Sequence, residues 1–295
     1  MSPCAINAVT VLTNPNSGHG TGRASSAVAV ARLRERGLDV TEVHGTSGAQ
    51  SLELAGRAVE SGTDALVAAG GDGLISAVLQ AVATTPVPFG IIPGGTGNDH
   101  ARLLRIPLGD PAAAADIVAA GVTRQIDLGR AEGTWFGTVL ASGFDSLVTH
   151  RANRLRWPKG RMRYNAAILA ELMNLKPIPY RIELDGETIE VAATLVAVGN
   201  GTSYGGGMLV CPRAQLDDGL LDVTVIEATS RGRLIRLMPT LYRGTHVELD
   251  RVRTYRCRSI RLDAPGITSD ADGEPLAPLP VTATAVARAA HVLVP

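Results

Sequence analysis

Lysine is nearly missing from this chain: of its 28 basic residues only Lys159 and Lys176 are lysines, and neither follows a glycine-rich turn. A Walker A loop, which needs such a lysine, is thereby excluded. Cysteine is scarce as well. Cys4, Cys211 and Cys257 are odd in number and scattered, with no CxxC or Cys/His spacing, which speaks against a zinc site or a disulfide framework. Net charge is absent, because 28 acidic residues balance the 28 basic ones. No global field draws nucleic acid or an anionic membrane, so no nucleic-acid partner is expected and any membrane attraction must be local. Long apolar runs are lacking too. The uncharged stretch Val191 to Cys211 is broken by Gly199, Gly201 and Gly205–Gly207, by Asn200 and by Tyr204. The N-terminus shows no basic segment followed by an apolar core. The expectation is a cytoplasmic protein, able to sit peripherally at the inner face of the membrane.

What is present is alternation. With 295 residues the chain has room for two ordinary domains. Its first part pairs short apolar runs with helical patterns: Ala8–Thr13 then Arg23–Arg36, Val40–His44 then Ser51–Ser61, Ala65–Ala69 then Leu74–Ala83, Phe89–Ile92 then Asn98–Leu104. Such alternation predicts a parallel sheet covered on both faces. An alanine-rich helix follows at Asp110–Ala120, and then the pattern changes to shorter alternating strands. Asp185-Gly186 carries a type I′ hairpin signal, and Leu216-Asp217-Asp218-Gly219-Leu220 resembles a second hairpin. The expected division is an α/β domain over residues 1–125 and a mainly β domain over 126–295, with helical inserts near 146–174 and 230–242.

Three glycine-rich segments each follow a predicted strand: Asn14–Gly22, Gly70-Gly71-Asp72-Gly73, and Gly94-Gly95-Thr96-Gly97-Asn98-Asp99. Ligands of parallel sheets bind at the carboxyl ends of the strands, so all three converge on one crevice. Glycines let backbone N–H groups approach an anion, and a following helix offers the positive end of its dipole. Asp72 at the second turn is suited to hold a cation that bridges phosphates. Each piece also has a plain reading. Gly-Gly-Asp-Gly makes an ordinary tight turn, and Asn98 or Asp99 serves equally well as a helix N-cap.

Taken in order, Asn-Pro-x-Ser-Gly at Asn14–Gly18, Gly-Gly-Asp-Gly at Gly70–Gly73 and Pro-Gly-Gly-Thr-Gly-Asn-Asp at Pro93–Asp99 resemble the soluble diacylglycerol kinase and sphingosine kinase family of lipid kinases. The resemblance continues through Gly143-Phe144-Asp145, Tyr204–Met208, Leu216–Gly219 and Asp272-Gly273-Glu274, and so spans nearly the whole chain. It implies an α/β nucleotide-binding domain related to phosphofructokinases and NAD kinases, then a β-sandwich, with ATP in the cleft between them. By the same resemblance Asn14, Ser17 and Thr46 lie near the nucleotide, and Gly70, Gly71, Gly73, Gly95 and Thr96 cradle phosphates. Asp72, Asn98 and Asp99 belong to the nucleotide and Mg²⁺ network. Asp272 is the candidate general base, with Glu274 as its electrostatic neighbour. The Asp218 carboxylate and the carbonyls of Gln215 and Leu220 form a second, structural Mg²⁺ site; their oxygen-only ligation suits that hard cation. The plain reading of both Asp272-Gly273 and the 215–220 segment is a turn without chemistry.

The mechanism expected is transfer of the γ-phosphoryl group of ATP to the hydroxyl of a diacylglycerol or related lipid. Its transition state asks the protein mainly for positioning and charge neutralisation. Leu74 stands where bacterial members of the family mostly carry threonine, which leaves the acceptor lipid open. Aromatics, only 3% of residues, do not define an acyl pocket either. The segment Arg151–Arg163 holds Arg151, Arg154, Arg156, Lys159, Arg161 and Arg163 with Trp157 and no acid, a pattern suited either to anionic headgroups or to a solvated face. The six histidines look incidental. The resemblance also implies a homodimer. Two other functions remain open: a kinase of a water-soluble acceptor such as NAD, and a nucleotide-binding regulator without catalysis.

Overall fold

The structure, a computed structural model, describes residues 2–3, 5–14, 21–144, 146–148, 151, 170–171, 174 and 176–295. In chain order the first half contains β1 (Ser2–Pro3), β2 (Ala8–Thr13), α1 (Thr21–Glu35), β3 (Asp39–His44), α2 (Gly48–Glu60), β4 (Ala65–Gly70), α3 (Asp72–Val82), β5 (Phe89–Pro93), α4 (Asp99–Leu103) and α5 (Pro111–Ala120). Strands β2, β3, β4 and β5 pair in parallel, in the order β3-β2-β4-β5. Every residue of β4 is buried, as an apolar strand covered by helices on both faces must be. The chain runs from β2 to one side and then returns to the other, so the loops after β2 and β4 flank the point where ligands of such sheets bind. The helix boundaries follow local chemistry. Ser47 caps α2 by accepting the Gln50 N–H at 3.2 Å, and Asp110 caps α5 by accepting the Ala113 N–H at 2.9 Å, with Pro111 next and Gly121 in the left-handed region at the far end.

The remainder is β-rich: β6 (Val122–Ala131), β7 (Thr134–Phe136), β8 (Val139–Gly143), β9 (Ile178–Leu184), β10 (Glu187–Gly199), β11 (Leu221–Glu227), α6 (Arg231–Arg243), β12 (Val252–Cys257), β13 (Ser259–Asp263), β14 (Thr268–Ala271), β15 (Glu274–Pro278) and β16 (Val281–Leu293). Side-chain alternation along β10 divides its contacts. Val196 and Val198 enter one core with Leu140, Ile182 and Val223, whereas Leu195 and Ala197 enter another with Leu237 and Leu241 of α6. Strand β16 then links the halves. Its start pairs with β13, its length with β6, and its Val292 stands beside Phe89 of β5 in parallel register. Val292, Leu293 and Val294 therefore pack in the same core as Leu12, Leu66 and Ile91.

The Asp185-Gly186 hairpin forms as expected between β9 and β10, with φ of +48° and +96° at its two turn residues. The second hairpin does not form, because no strand precedes Leu216 and the turn docks sideways on β6. There the Leu216 carbonyl accepts the Asp127 N–H at 2.6 Å, and the Gly219 N–H donates to the buried Asp127 carboxylate at 2.6 Å. The insert expected at 230–242 is α6, and most of the one at 146–174 lies outside the described residues. Leu74 is 7% exposed in the first core and touches Gly70, so it faces the α/β core rather than an acceptor.

Candidate active site

The loops after β4 and β5 are fastened to each other before they can meet anything else. The Gly94 N–H donates to the Gly70 carbonyl at 2.8 Å, and the backbones of Gly71 and Gly95 cross so closely that a Cβ on Gly95 would stand 2.6 Å from the Gly71 Cα. Asp72, the first residue of α3, accepts the N–H groups of Asn98 at 2.7 Å and Asp99 at 2.8 Å, one on each oxygen. A Cβ on Gly97 would lie 2.6 Å from one of those oxygens. Asn98, at φ +54°, folds its amide back on Gly95, accepting its N–H and donating to its carbonyl, both at 2.9 Å. It stands at the N-cap position of α4 but uses its side chain for the loop. Gly71, Gly95 and Gly97 are thus required by loop-on-loop packing, while Gly73 and Thr96 remain exposed. Arg102 is exposed beside them and donates from Nε to the Gly97 carbonyl at 3.1 Å.

Asp99 reaches across to the β-rich half. Its carboxylate accepts the N–H groups of Gly206 at 2.9 Å and Gly207 at 2.8 Å, and all three residues Gly205–Gly207 have positive φ, a conformation side chains disfavour. Burial and the nearby Asp72 charge push the Asp99 carboxyl above the usual carboxylate range, although these two hydrogen bonds oppose the shift.

Asp272 and Gly273 form the tight turn between β14 and β15, with φ of +50° and +82°, so the plain hairpin reading and the site reading describe the same turn. The Asp272 carboxylate accepts the Gly137 N–H at 2.9 Å, the Thr138 N–H at 2.8 Å and the Thr138 hydroxyl at 2.6 Å. His100 Nε2 stands 3.2 Å from its second oxygen. Three hydrogen-bond donors thus hold the carboxylate, and His100 Nε2 adds a contact at ion-pair distance without hydrogen-bond geometry. Glu274, two residues on, is exposed with its carboxyl end against Gly73. Desolvation there and the Asp270 charge hold it above the usual range.

His100 was not singled out by the sequence. Its side chain is 5% exposed and lies between two carboxylates, with Nδ1 3.7 Å from Asp72 and Nε2 3.2 Å from Asp272. Burial opposes its charge, but the two carboxylates outweigh burial and raise its pKa to about 10. Its charge in turn holds Asp72 and Asp272 below the usual carboxylate range despite their own burial. The only sequence signal was adjacency, since His100 directly follows the Asn98-Asp99 pair. Gly137 and Thr138, the donors to Asp272, carried no signal.

The other expected residues are spread along the same sheet edge or lie elsewhere. Asn14 is half-buried at the end of β2, beyond the Thr13 hydroxyl that contacts His44 Nδ1 at 2.6 Å. Thr46 is exposed after β3 and uses both its N–H and its hydroxyl on Gln50, at 2.8 and 2.7 Å. Ser17 lies outside the described residues. In the 215–220 turn the Asp218 carboxylate pairs with Arg256 and accepts the Leu220 N–H at 3.0 Å. Each of its oxygens thus carries one donor, on the same turn that presents Gln215 and Leu220. No cluster of three His, Cys, Asp or Glu suited to a metal occurs among the described residues.

An α/β half that presents glycine-rich turns at the carboxyl edge of a parallel sheet, joined through Asp99 and His100 to a β-rich half that supplies further carboxylates, defines a two-domain phosphotransferase. Residues 8–131 match the diacylglycerol kinase catalytic domain, and residues 138–294 match the YegS C-terminal NAD kinase beta sandwich-like domain. The chain is 52% identical to a diacylglycerol kinase of Mycobacterium tuberculosis, over 98% of this chain and 96% of the relative. It is 28% identical to a diacylglycerol kinase of Bacillus subtilis, over 97% and 95%. A crystal structure of a diacylglycerol kinase from Bacillus anthracis superposes with a TM-score of 0.75 at 21% identity, covering 99% of this chain and 98% of that one, and bears on the fold alone. The chain belongs to the diacylglycerol kinase family, the ATP-dependent kinases with an alcohol group as acceptor.

Proposed function

We propose that this chain transfers the γ-phosphoryl group of ATP to the hydroxyl of diacylglycerol or a closely related lipid alcohol. The observation that carries this reading is the 52% identity to a relative named diacylglycerol kinase along 98% of the chain. The carboxylates at positions 72, 99, 272 and 274 support catalysis rather than a silent regulator. In the proposed step a bond forms between the acceptor oxygen and the γ-phosphorus, the bond to the ADP oxygen breaks, and the acceptor proton passes to a carboxylate.

Asp272 is the proposed base. Its side chain is 1% exposed, and of its three hydrogen-bond donors the Thr138 hydroxyl alone can turn away by rotation, so the proposed acceptor hydroxyl enters in that place. A second reading gives the proton to Glu274, which is exposed and held above the usual carboxylate range. Thr46, Asn14, Ser17, Gly73, Thr96 and the exposed Arg102 are proposed contacts of the nucleotide. For the Mg²⁺ that accompanies ATP, Asp72 is the fitting ligand, since each of its oxygens accepts one loop N–H and keeps a second lone pair on a side chain 22% exposed. When bound, that ion supplies charge neutralisation at the phosphates.

No described helix is long and apolar enough to cross a membrane. The acceptor's home in a bilayer supports a peripheral role for the basic segment 151–163 at the inner membrane face; within it Arg151 pairs with Glu171, and the rest lies outside the described residues. The homodimer implied by the resemblance is read by light scattering. Incubation with labelled ATP, Mg²⁺ and a lipid panel in mixed micelles, beside NAD, tests the reaction. Label in a lipid supports the proposal, label in NAD replaces it with a water-soluble acceptor, and no transfer leaves a regulator.

A further inference from the structure

The geometry points to His100 as a positioning residue that sets the register between the phosphate-side carboxylate Asp72 and the hairpin carboxylate Asp272. This rests on the phosphoryl transfer proposed above. Asp72 begins α3 in the α/β half, and Asp272 turns a hairpin in the β-rich half. Among the described residues, the one side chain within ion-pair distance of both is His100, with Nδ1 3.7 Å from Asp72 and Nε2 3.2 Å from Asp272. The ring holds its two nitrogens apart on a rigid frame, a shape that spans the gap between the two carboxylates.

The surroundings are shaped to admit this ring. A Cβ on Gly137 would stand 2.9 Å from His100 Nε2 and 3.1 Å from its Cδ2, so only glycine leaves the space. The N–H of that same Gly137 donates to Asp272, which places ring, glycine and carboxylate in one contact set. On the other side, the residues just before His100 are held by Asp72 through the Asn98 and Asp99 N–H groups, and the Asp99 carboxylate grips Gly206 and Gly207. The start of α4 is therefore anchored to the phosphate platform, and His100 carries that position to Asp272. A carboxylate misplaced by about 1 Å in a group-transfer site costs on the order of 10²-fold in rate. His100 accordingly acts mainly on the chemical step, through Asp272, since Asp72 keeps its bonds to the Asn98 and Asp99 N–H groups without the ring.

Three variants separate this role from mere support. His100→Gln carries an amide nitrogen to the Nε2 position and retains the donor to Asp272; His100→Asn reaches only the Nδ1 position beside Asp72; His100→Phe keeps the ring without donors. Diacylglycerol kinase turnover, the KM for ATP and the thermal midpoint are measured for each beside the wild type. The expected pattern is a kcat loss on the order of 10²-fold in His100→Phe and His100→Asn, an ATP KM within about 2-fold, and recovery of roughly 10-fold of that loss in His100→Gln. Wild-type kcat in a folded His100→Phe overturns the inference while leaving the kinase reading intact. So does a loss that follows the thermal midpoint equally in all three variants with no recovery by glutamine. Absence of transfer by the wild type overturns the kinase reading and the inference together.

Discussion

Replacing Asp272 by asparagine tests the geometry and the chemistry of the site at once. The substitution is isosteric but exchanges one acceptor oxygen for an NH₂ donor. In the native turn one oxygen accepts from the Thr138 N–H and hydroxyl, and the other accepts from the Gly137 N–H and faces His100 Nε2. If the new amide nitrogen takes the second position, it meets the Gly137 N–H. If it takes the first, it meets the Thr138 N–H. Either way one buried backbone donor loses its partner, which costs about 1–3 kcal/mol. For a chain of this size the expected fall in Tm is roughly 2–10 °C. His100 also loses an ionised partner, but as a neutral ring it accepts from the new NH₂, so the full cost of an unpaired buried charge is avoided. Catalysis, if Asp272 is the base, falls ~10²–10⁴-fold. The pH dependence gives an independent check. His100 and the hydrogen bonds hold the Asp272 carboxyl below its ordinary value in the folded protein despite burial. Its contribution to stability is therefore present above the unfolded carboxylate pKa of about 3.9 and is lost as pH falls through the lower folded value. The gap in Tm between wild type and Asp272→Asn should narrow on acidification through that range. Scanning calorimetry from neutral to acid pH, with turnover on diacylglycerol micelles, measures both quantities. An unchanged Tm would refute the hydrogen bonds of the Gly137 and Thr138 N–H groups to Asp272. Near-normal turnover in the folded variant would refute the base and shift the role to Glu274, whose glutamine variant then becomes the inactive one.

Gly95→Ala forces a Cβ to within 2.6 Å of the Gly71 backbone, so one of the two glycine loops must move. A cost of about 1–3 kcal/mol and a raised KM for ATP are expected, measurable by denaturant melts and kinetics. Asp99→Asn leaves one of the Gly206 and Gly207 N–H groups facing an NH₂, and hydrogen exchange should show faster opening of that single amide. Exhaustive chelation tests the structural cation proposed at Gln215, Asp218 and Leu220: a fall in the Tm of the nucleotide-free protein that Mg²⁺ reverses, and that Asp218→Ala abolishes, supports it, and an unchanged Tm leaves Asp218 to its pairing with Arg256.

The α/β half was legible because each of its signals is local. An apolar run such as Ala65–Ala69, a breaker at Gly70–Gly73 and an amphipathic restart at Leu74 are written in adjacent residues, and the structure folds them as β4, the turn and α3. Asp185-Gly186 was legible for the same reason, since its backbone demands positive φ at two neighbours. The turn at 216–220 carries a similar local signal but was misread. Its hydrogen bonds go to Asp127, some ninety residues away, and no local pattern announces that partner. Leu74 likewise takes its meaning from burial in the first core, which a residue-by-residue comparison with threonine does not reveal. His100 was missed because a histidine acquires its character from what surrounds it, and its two carboxylates come from positions 72 and 272.

The glycines show why the motif is readable even where its first explanation was incomplete. The resemblance assigns Gly71 and Gly95 to the phosphates, yet both, like Gly97, already stand in close contact with the neighbouring loop or with Asp72. The two demands act on different faces of the same backbone. Crossing Gly71 against Gly95 draws both turns together, and the N–H groups of Asn98 and Asp99, spent on Asp72, lock the second turn to the first. What is left for an anion is the outward side of the turns at exposed Gly73 and Thr96, with Arg102 beside them. The phosphate site proposed there would have little to reorganise when ligand arrives, because its backbone is held by bonds that do not involve the ligand. The same bonds place Asp99 and His100 at the start of α4, where both reach the β-rich half. Loop packing, domain joining and the orientation of Asp272 are therefore one connected structure, and a change at any of its glycines should be felt in turnover as well as in stability.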